Sequence, residues 1–404
     1  MQILVQKFGG ISVQSAENRK HVIRHIQKAK KEGFKIVIVV SALGRKPDPY
    51  ATDTLVELVQ HTHGAVSRRE LDLLMSCGET IAAVILSAEL QQRQVKAMAL
   101  TGAQAGIVTN ADYNQAKIKA IVPQRIKETL ETHDVVVVAG FQGQTSAGDT
   151  TTLGRGGSDT TAAALGAAFQ AERIEIFTDV QGIMTADPRM VKQAKPIKTA
   201  TYTEICNLAY QGAKVIHPRA VEIAMQAGIP MQIRSVYMDD MGTRIDAGNN
   251  RWHVSERLVT GIAHTPAIVQ LCIETEAEPL RLQPAIFKAM AETGISVDFI
   301  SISPSRVIFT VAERVADQAI HILQTLDMKV AVTPDCAKVS AVGAGMRDIP
   351  GVASKIVSAL TDAGVQILQA ADSHTTIWVL IHGKDVHRAV NAMHAIFELD
   401  HVNV

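Results

Sequence analysis

Short apolar runs alternate with helix-patterned stretches through the first 236 residues. ILVQKF (3–8), KIVIVV (35–40), VVVV (135–138), RIEIFTDV (173–180) and MQIRSV (231–236) have the length and character of strands buried on both faces. VKAMAL (95–100) and IVTN (107–110) are further strand candidates. Between them, apolar residues recur at helical spacing. Val22, Ile23 and Ile26 mark a helix over roughly Glu17 to Lys31, ended by Gly33. Further helices are expected from Thr54 to about Leu90, broken near Ser76-Cys77-Gly78. Others are expected over 115–132 and over 203–226, the last with a break around Gly212. Strands alternating with helices predict an α/β fold, a mostly parallel sheet sandwiched by helices.

The pattern changes after residue 236. Residues 237–260 are polar and turn-rich, which predicts a domain boundary. Beyond it, IFKAMAETGISVDFISISPSRVIFTV starts at Ile286 and IVSALTDAGVQILQAADSHTTIWVLI starts at Ile356, 70 residues later. Gly294 and Gly364 align, as do the apolar positions. A repeat of this period predicts a duplicated small α+β domain, able to pair sheet edges and bind small ligands between copies. A purely structural dimerisation tail is the plainer alternative. The expected division is 1–240, a linker at 241–262, then copies at 263–334 and 335–404.

TTTLGRGGSDTTAAAL (150–165) follows the valine run. Gly154, Gly156 and Gly157 permit a tight turn close to a ligand, and Ser158 or Asp159 can cap the following helix. Free N–H groups and the helix dipole favour an anion there, and Arg155 adds a planar fork suited to carboxylate or phosphate. KFGGIS supplies Lys7 and two glycines just after the first strand. FTDVQGIMTADPR and GAKVIHPRA add acidic and glycine turns at strand ends, with Lys214. Two lysines and two glycine turns suit phosphoryl transfer, which needs mainly positioning and charge neutralisation. G-x-x-x-x-G-K-[ST] and G-x-G-x-x-G are both missing, which lowers ordinary ATPase and dinucleotide readings. His217 is read as structural, and His61 and His63 as solvated surface.

The chain has 404 residues and 47% hydrophobic content, enough for two or three domains. Charge is balanced, 40 Lys+Arg against 40 Asp+Glu, so no nucleic-acid or membrane-surface partner is expected. No apolar run is expected to reach the roughly 18 residues of a membrane span. Cys77, Cys206, Cys272 and Cys336 are scattered and read as reduced, mostly buried thiols. These features predict a soluble cytoplasmic protein.

KFGGISV (7–13), TLGRGGSDTTAAAL (152–165), FTDVQGIMTADPR (177–189) and GAKVIHPRA (212–220) resemble the aspartate kinases, and the tail repeat resembles their paired ACT domains. SALGRKPDPYATDTL (41–55) is most similar to the diaminopimelate-sensitive isozyme of bacilli. The resemblance implies an amino-acid-kinase fold followed by two ferredoxin-like ACT domains. It implies transfer of the ATP γ-phosphoryl group to the β-carboxylate of L-aspartate, with feedback by diaminopimelate, lysine or threonine.

It also implies roles. Lys7, Phe8, Gly9 and Gly10 would hold the ATP phosphates. Thr178, Asp179, Gly182, Ile183, Met184, Thr185, Ala186, Asp187 and Arg189 would hold the nucleotide, and Lys214 would approach its phosphates. Ser41, Thr52, Glu79, Arg155, Ser158 and Asp159 would form the aspartate pocket, Glu79 taking the ammonium and Arg155 the α-carboxylate. Lys7, Lys214 and Arg155 would be the catalytic cations. Mg²⁺ would come with ATP, with no protein ligand assigned. A homodimer through the ACT domains is expected, with an amino-acid effector between them. Ile11 stands where the family usually has threonine. The first tail copy lacks the Pro-Gly turn of IPGVASKI, which leaves open which copy takes the effector. The alternatives are a related kinase with another acceptor, or a catalytically dead amino-acid sensor.

Overall fold

The computed structural model describes residues 2–60, 66–248, 258–274, 279–344, 346 and 349–401; His61 and His63 lie outside them. The chain opens with β1 (Ile3–Phe8), α1 (Gly10–Gln14), α2 (Ala16–Lys31), β2 (Lys35–Val40), α3 (Thr52–Gln60) and α4 (Arg68–Gln92). Next come β3 (Ala97–Leu100), β4 (Ile107–Thr109), β5 (Ile118–Ile121), α5 (Gln124–Thr132), β6 (Val135–Ala139), β7 (Gln142–Gln144), β8 (Thr150–Thr152) and α6 (Gly157–Phe169). β9 (Arg173–Thr178), β10 (Thr199–Thr201), α7 (Tyr202–Tyr210), α8 (Pro218–Ala227), β11 (Met231–Ser235) and β12 (Thr243–Asp246) complete the first half.

The main sheet runs β10-β12-β11-β9-β1-β2-β6-β3. Its six strands from β11 to β3 are parallel, and β12 turns antiparallel against β11. Alternation along β1 divides the core. Leu4 and Phe8 pack under α2 and α4, while Ile3 and Val5 pack under α5 to α8. Each fully buried Val or Ile contributes roughly 1.5–3 kcal/mol, so the apolar strands hold the sheet rigidly. A second sheet, β5-β4-β7-β8, hangs beside the C-terminal ends of these strands.

Several expectations change. α4 runs unbroken through Ser76-Cys77-Gly78. Gly78 is there for close approach: a Cβ would lie 2.8 Å from Ala42 Cβ and 2.9 Å from the Tyr50 carbonyl. The helix expected over 115–132 divides into β5 and α5 at Pro123, which cannot continue the strand ladder. Neither Ser158 nor Asp159 caps α6. The N-cap is Gly156 in the left-handed region, and both residues lie in the first turn. Cys77 is exposed rather than buried, and all four cysteines are free. α4 is long and apolar enough to span a bilayer by length and composition, contrary to expectation. Half of that window is buried in the fold, against β3, β6 and β8. β12 falls inside the segment expected as a linker, because it completes the edge of the first sheet.

The tail continues with β13 (Gly261–Glu274), α9 (Pro279–Glu292), β14 (Asp298–Ser303), β15 (Arg306–Ala312), α10 (Ala316–Thr325), β16 (Val330–Val342), α11 (Val352–Asp362), β17 (Gln369–Asp372), β18 (Thr376–His382) and α12 (Val386–Ile396). Both copies share one sheet, β14-β15-β13-β16-β18-β17. β13 and β16 are long enough to serve both. Val269, Leu271 and Ile273 enter the core of the first copy, while Ile262 enters the core of the second. The second copy is therefore not one continuous segment. It takes an edge strand from the chain ahead of the first copy.

Candidate active site

A cleft of about 860 Å³ opens at the C-terminal ends of β1 and β2, where ligands of open α/β sheets bind. Lys7, Gly10, Ser41, Thr52, Glu79, Arg155, Ser158 and Asp159 all line it. The fold thus brings together residues from five separate stretches of sequence.

Lys7 is the second-to-last residue of β1, in register between Val39 and Ile176. Its Nζ lies 2.6 Å from Asp159 Oδ1, and both side chains are nearly buried. Asp159 stands in the first turn of α6, where the helix dipole favours its charge. Gly10 lets the 41–44 loop close over β1: a Cβ there would lie 2.7 Å from the carbonyls of Ala42 and Gly44. The G-R-G-G turn is equally crowded. Gly156 has φ +66°, and a Cβ would meet His217 Cβ at 2.2 Å, so α8 packs directly on the turn. Arg155 is exposed and makes no hydrogen bond among the described residues, leaving its fork free for an anion.

Glu79 is 3% exposed. Its Oε1 accepts the Ala42 N–H at 3.1 Å, and its Oε2 has no partner. Burial pushes the Glu79 carboxyl up to about 8, against the opposing pull of the Ala42 N–H. A buried carboxylate oxygen without a donor, at the wall of a cleft, suits a ligand ammonium.

The nucleotide candidates lie elsewhere. Thr178 Oγ1 bonds Asp179 Oδ1 at 3.0 Å at the end of β9, with Asp179 exposed. Gly182 packs on Thr243, and Met184 bridges Pro196. Asp187 holds Arg189 at 2.7 Å, and that guanidinium draws its carboxyl below the usual range. Ile183 and Ala186 face apolar cores. Thr185 Oγ1 bonds His394 Nε2 of α12 at 2.9 Å, and its carbonyl accepts the Ile262 N–H at 2.7 Å. Thr185 and Ala186 form the seam with the second tail copy. Lys214 is exposed and does not line the cleft; its charge acts on His264.

Sequence reasoning missed other parts of the wall. Gln115 and Lys117 come from the segment read as helix and Asn114 stands just before it, and Phe141, His217 and Arg219 also line the cleft. Arg219 Nη1 donates to the Leu153 carbonyl at 3.1 Å, and its N–H donates to His217 Nδ1. Burial lowers the His217 imidazole, keeping it neutral as a cap. Behind the wall, fully buried Asp72 accepts from Asn114 N at 3.0 Å, Thr152 N at 2.8 Å and Thr152 Oγ1 at 2.6 Å. No sequence motif marks Asp72. Its signal is a carboxylate on the apolar face of a long helix, two turns before Glu79 on the same face.

A parallel sheet whose first strand delivers a lysine to a glycine-turn cleft, joined to a duplicated α+β tail, defines an amino acid kinase with ACT domains. The model of the amino acid kinase family matches residues 2–235, and that of an ACT domain matches 331–395. The chain is 56% identical to aspartokinase 1 of Bacillus subtilis over 99% of its own length and 100% of the relative's. It is 39% identical to the aspartokinase of Geobacillus stearothermophilus, covering 99% and 98%. The chain belongs to the aspartokinase family. In fold it is similar to E. coli aspartokinase III in complex with aspartate and ADP in the R-state, with TM-score 0.81, 24% identity and 98% and 99% coverage. The T-state of that enzyme, with lysine and aspartate, aligns at TM-score 0.74 over 97% and 99%.

Proposed function

We propose that this aspartate kinase binds L-aspartate between Arg155 and Glu79 and places its β-carboxylate beside Lys7. The observation that carries this is the convergence of all three side chains on one cleft. Glu79 Oε2 takes the substrate ammonium, and the free Arg155 fork takes the α-carboxylate. A β-carboxylate oxygen attacks the γ-phosphorus of ATP, the bond to the β,γ-bridging oxygen breaks, and ADP departs with that electron pair. The product is 4-phospho-L-aspartate. No base is needed, because a carboxylate of pKa about 3.9 is already ionised at neutral pH. The Lys7 ammonium neutralises charge on the moving group, and Asp159 holds it in place.

Thr178, Asp179 and the 182–189 loop, with Lys214, form the nucleotide side. Among the described residues no three acidic, imidazole or thiol groups converge as a metal site. Mg²⁺ brought with ATP would be held largely by phosphate oxygens and water and would help neutralise charge on the moving phosphoryl group, with no protein ligand assigned. Four free thiols fit a cytoplasmic setting. A homodimer joined through the ACT domains belongs to this reading, carried by membership of the aspartokinase family. An end-product amino acid, diaminopimelate, lysine or threonine, binds there and shifts a two-state equilibrium. Cutting the tail away is a poor test of this, since Ala263 and Val342 complete the kinase core. An inhibition panel on the full chain is the cleaner one. The catalytic reading predicts aspartate-dependent ADP formation, trapped as the hydroxamate, falling roughly 10³-fold in Lys7→Ala. An active Lys7→Ala enzyme would refute it.

A further inference from the structure

Lys7 points to the cleft, so its neighbour Gln6 points to the opposite face of the sheet. Gln6 stands in register with Glu175 on β9, which is level with Gln232 on β11, itself level with Arg244 on β12. This polar row crosses four adjacent strands on the face covered by α2, where the flanking Leu4, Phe8 and Phe177 are fully buried and apolar. A cavity of about 360 Å³ lies over it, roofed by His25 and Lys28 of α2 and by Glu32 at its C-cap.

Part of the row is internally satisfied. Glu175 is 1% exposed; its Oε2 accepts from Gln6 Nε2 at 2.8 Å, and its Oε1 from Arg173 Nε at 2.9 Å and Arg234 Nη1 at 3.1 Å. That network accounts for the buried charge and leaves other groups over. Gln232 is 6% exposed and lines the cavity, and its amide makes no hydrogen bond among the described residues. Gln6 Oε1 is buried without a donor. Arg244 uses only its Nε, on Asp246 Oδ2 at 2.8 Å, so its two Nη groups are free. Buried amides are rarely left unpaired, because desolvation without a bond costs stability.

We propose that this cavity is a second ligand site, behind the sheet from the phosphoryl-transfer cleft, for a small zwitterion of the α-amino-acid class. Its lining mixes Lys28, Arg173, Arg234 and Arg244 with Glu32, Glu172 and Glu175. Lys28 and Arg234 pair with Asp239, Arg173 and Arg234 pair with Glu175, and Arg173 faces Glu32 at 3.8 Å. The Arg244 Nη groups and the Glu172 carboxylate are left over among the described residues, one of each sign, so a molecule bearing both signs matches them. The ligand carboxylate meets the free fork of Arg244. Its ammonium meets the Gln232 carbonyl, with Glu32 and Glu172 at the mouth. The proposal stands apart from the reaction assigned above, because none of these residues lines the catalytic cleft.

The test places a reporter at the cavity itself. Met241 lines it and is 65% exposed. Met241→Cys, in a Cys77→Ser background that removes the exposed thiol, takes a trifluoromethyl label. The full-length labelled protein is titrated with each of the twenty proteinogenic L-amino acids and followed by ¹⁹F NMR. At least one gives a saturable shift. Gln232→Leu weakens that binding at least about tenfold while the KM for aspartate stays unchanged. Arg244→Gln does the same, so a misfolded single variant cannot decide the outcome. A silent label with every amino acid, or a shift that persists in both variants, overturns the proposal.

Discussion

Glu79 ties the electrostatics of the cleft to the pH dependence of substrate binding. Burial raises its carboxyl from 4.5 to about 8, so at pH 7 only about one molecule in ten carries the charge that the aspartate ammonium needs. Binding must then release a proton, and the penalty is about 1.4 kcal/mol at pH 7, nearly gone by pH 9. The KM for aspartate is expected to fall roughly tenfold between pH 7 and pH 9, with kcat and the KM for ATP little changed. Glu79→Gln removes the titrating group. Its KM should be about 10²-fold higher and flat with pH, since the substrate ammonium then lacks a charged partner. Stability moves the other way. The folded value lies above the unfolded one, so the contribution of Glu79 is complete below about 4.5 and disappears as pH rises through about 8. Steady-state ADP formation across pH 6–9 in constant-ionic-strength buffer is the assay. A flat KM in the parent enzyme, or an equal slope in Glu79→Gln, would refute the reasoning.

Asp72→Ala should cost about 3 kcal/mol by urea denaturation and raise the KM for aspartate, because Asn114 and Thr152 lose a buried acceptor. A variant of parent stability would show that the network is idle. His394 is buried, and burial holds its imidazole below 6.5. Its contribution is therefore complete above 6.5 and lost as pH falls through the lower folded value. His394→Gln should flatten the decline of Tm between pH 7 and 5, and an unchanged decline counts against it. Thr185→Val, which breaks the same bond to α12, should cost about 1 kcal/mol in urea denaturation and raise the KM for ATP more than that for aspartate. Equal changes in both KM values would separate the 182–189 loop from the nucleotide.

The apolar runs marked the six parallel strands of the main sheet but not its edge strands β10 and β12. Hydrophobic burial has a period, and runs such as KIVIVV fit nothing but a strand covered on both faces. The glycine turns likewise announced Lys7 and Arg155, because Gly10 and Gly156 stand where a Cβ would strike backbone or His217. Local pattern failed where contact replaced propensity. Gly78 reads as a helix break but is an approach point for Ala42, and Pro123 divides a stretch that looks helical. Only the tertiary structure decided that β13 and β16 each serve both tail copies, and that Thr185 and Ala186 meet the tail at the seam. Only the tertiary structure aligned Gln6, Glu175, Gln232 and Arg244 across four strands. Sequence carries the period of burial within each segment. Which segments become neighbours depends on long-range packing that no local window contains.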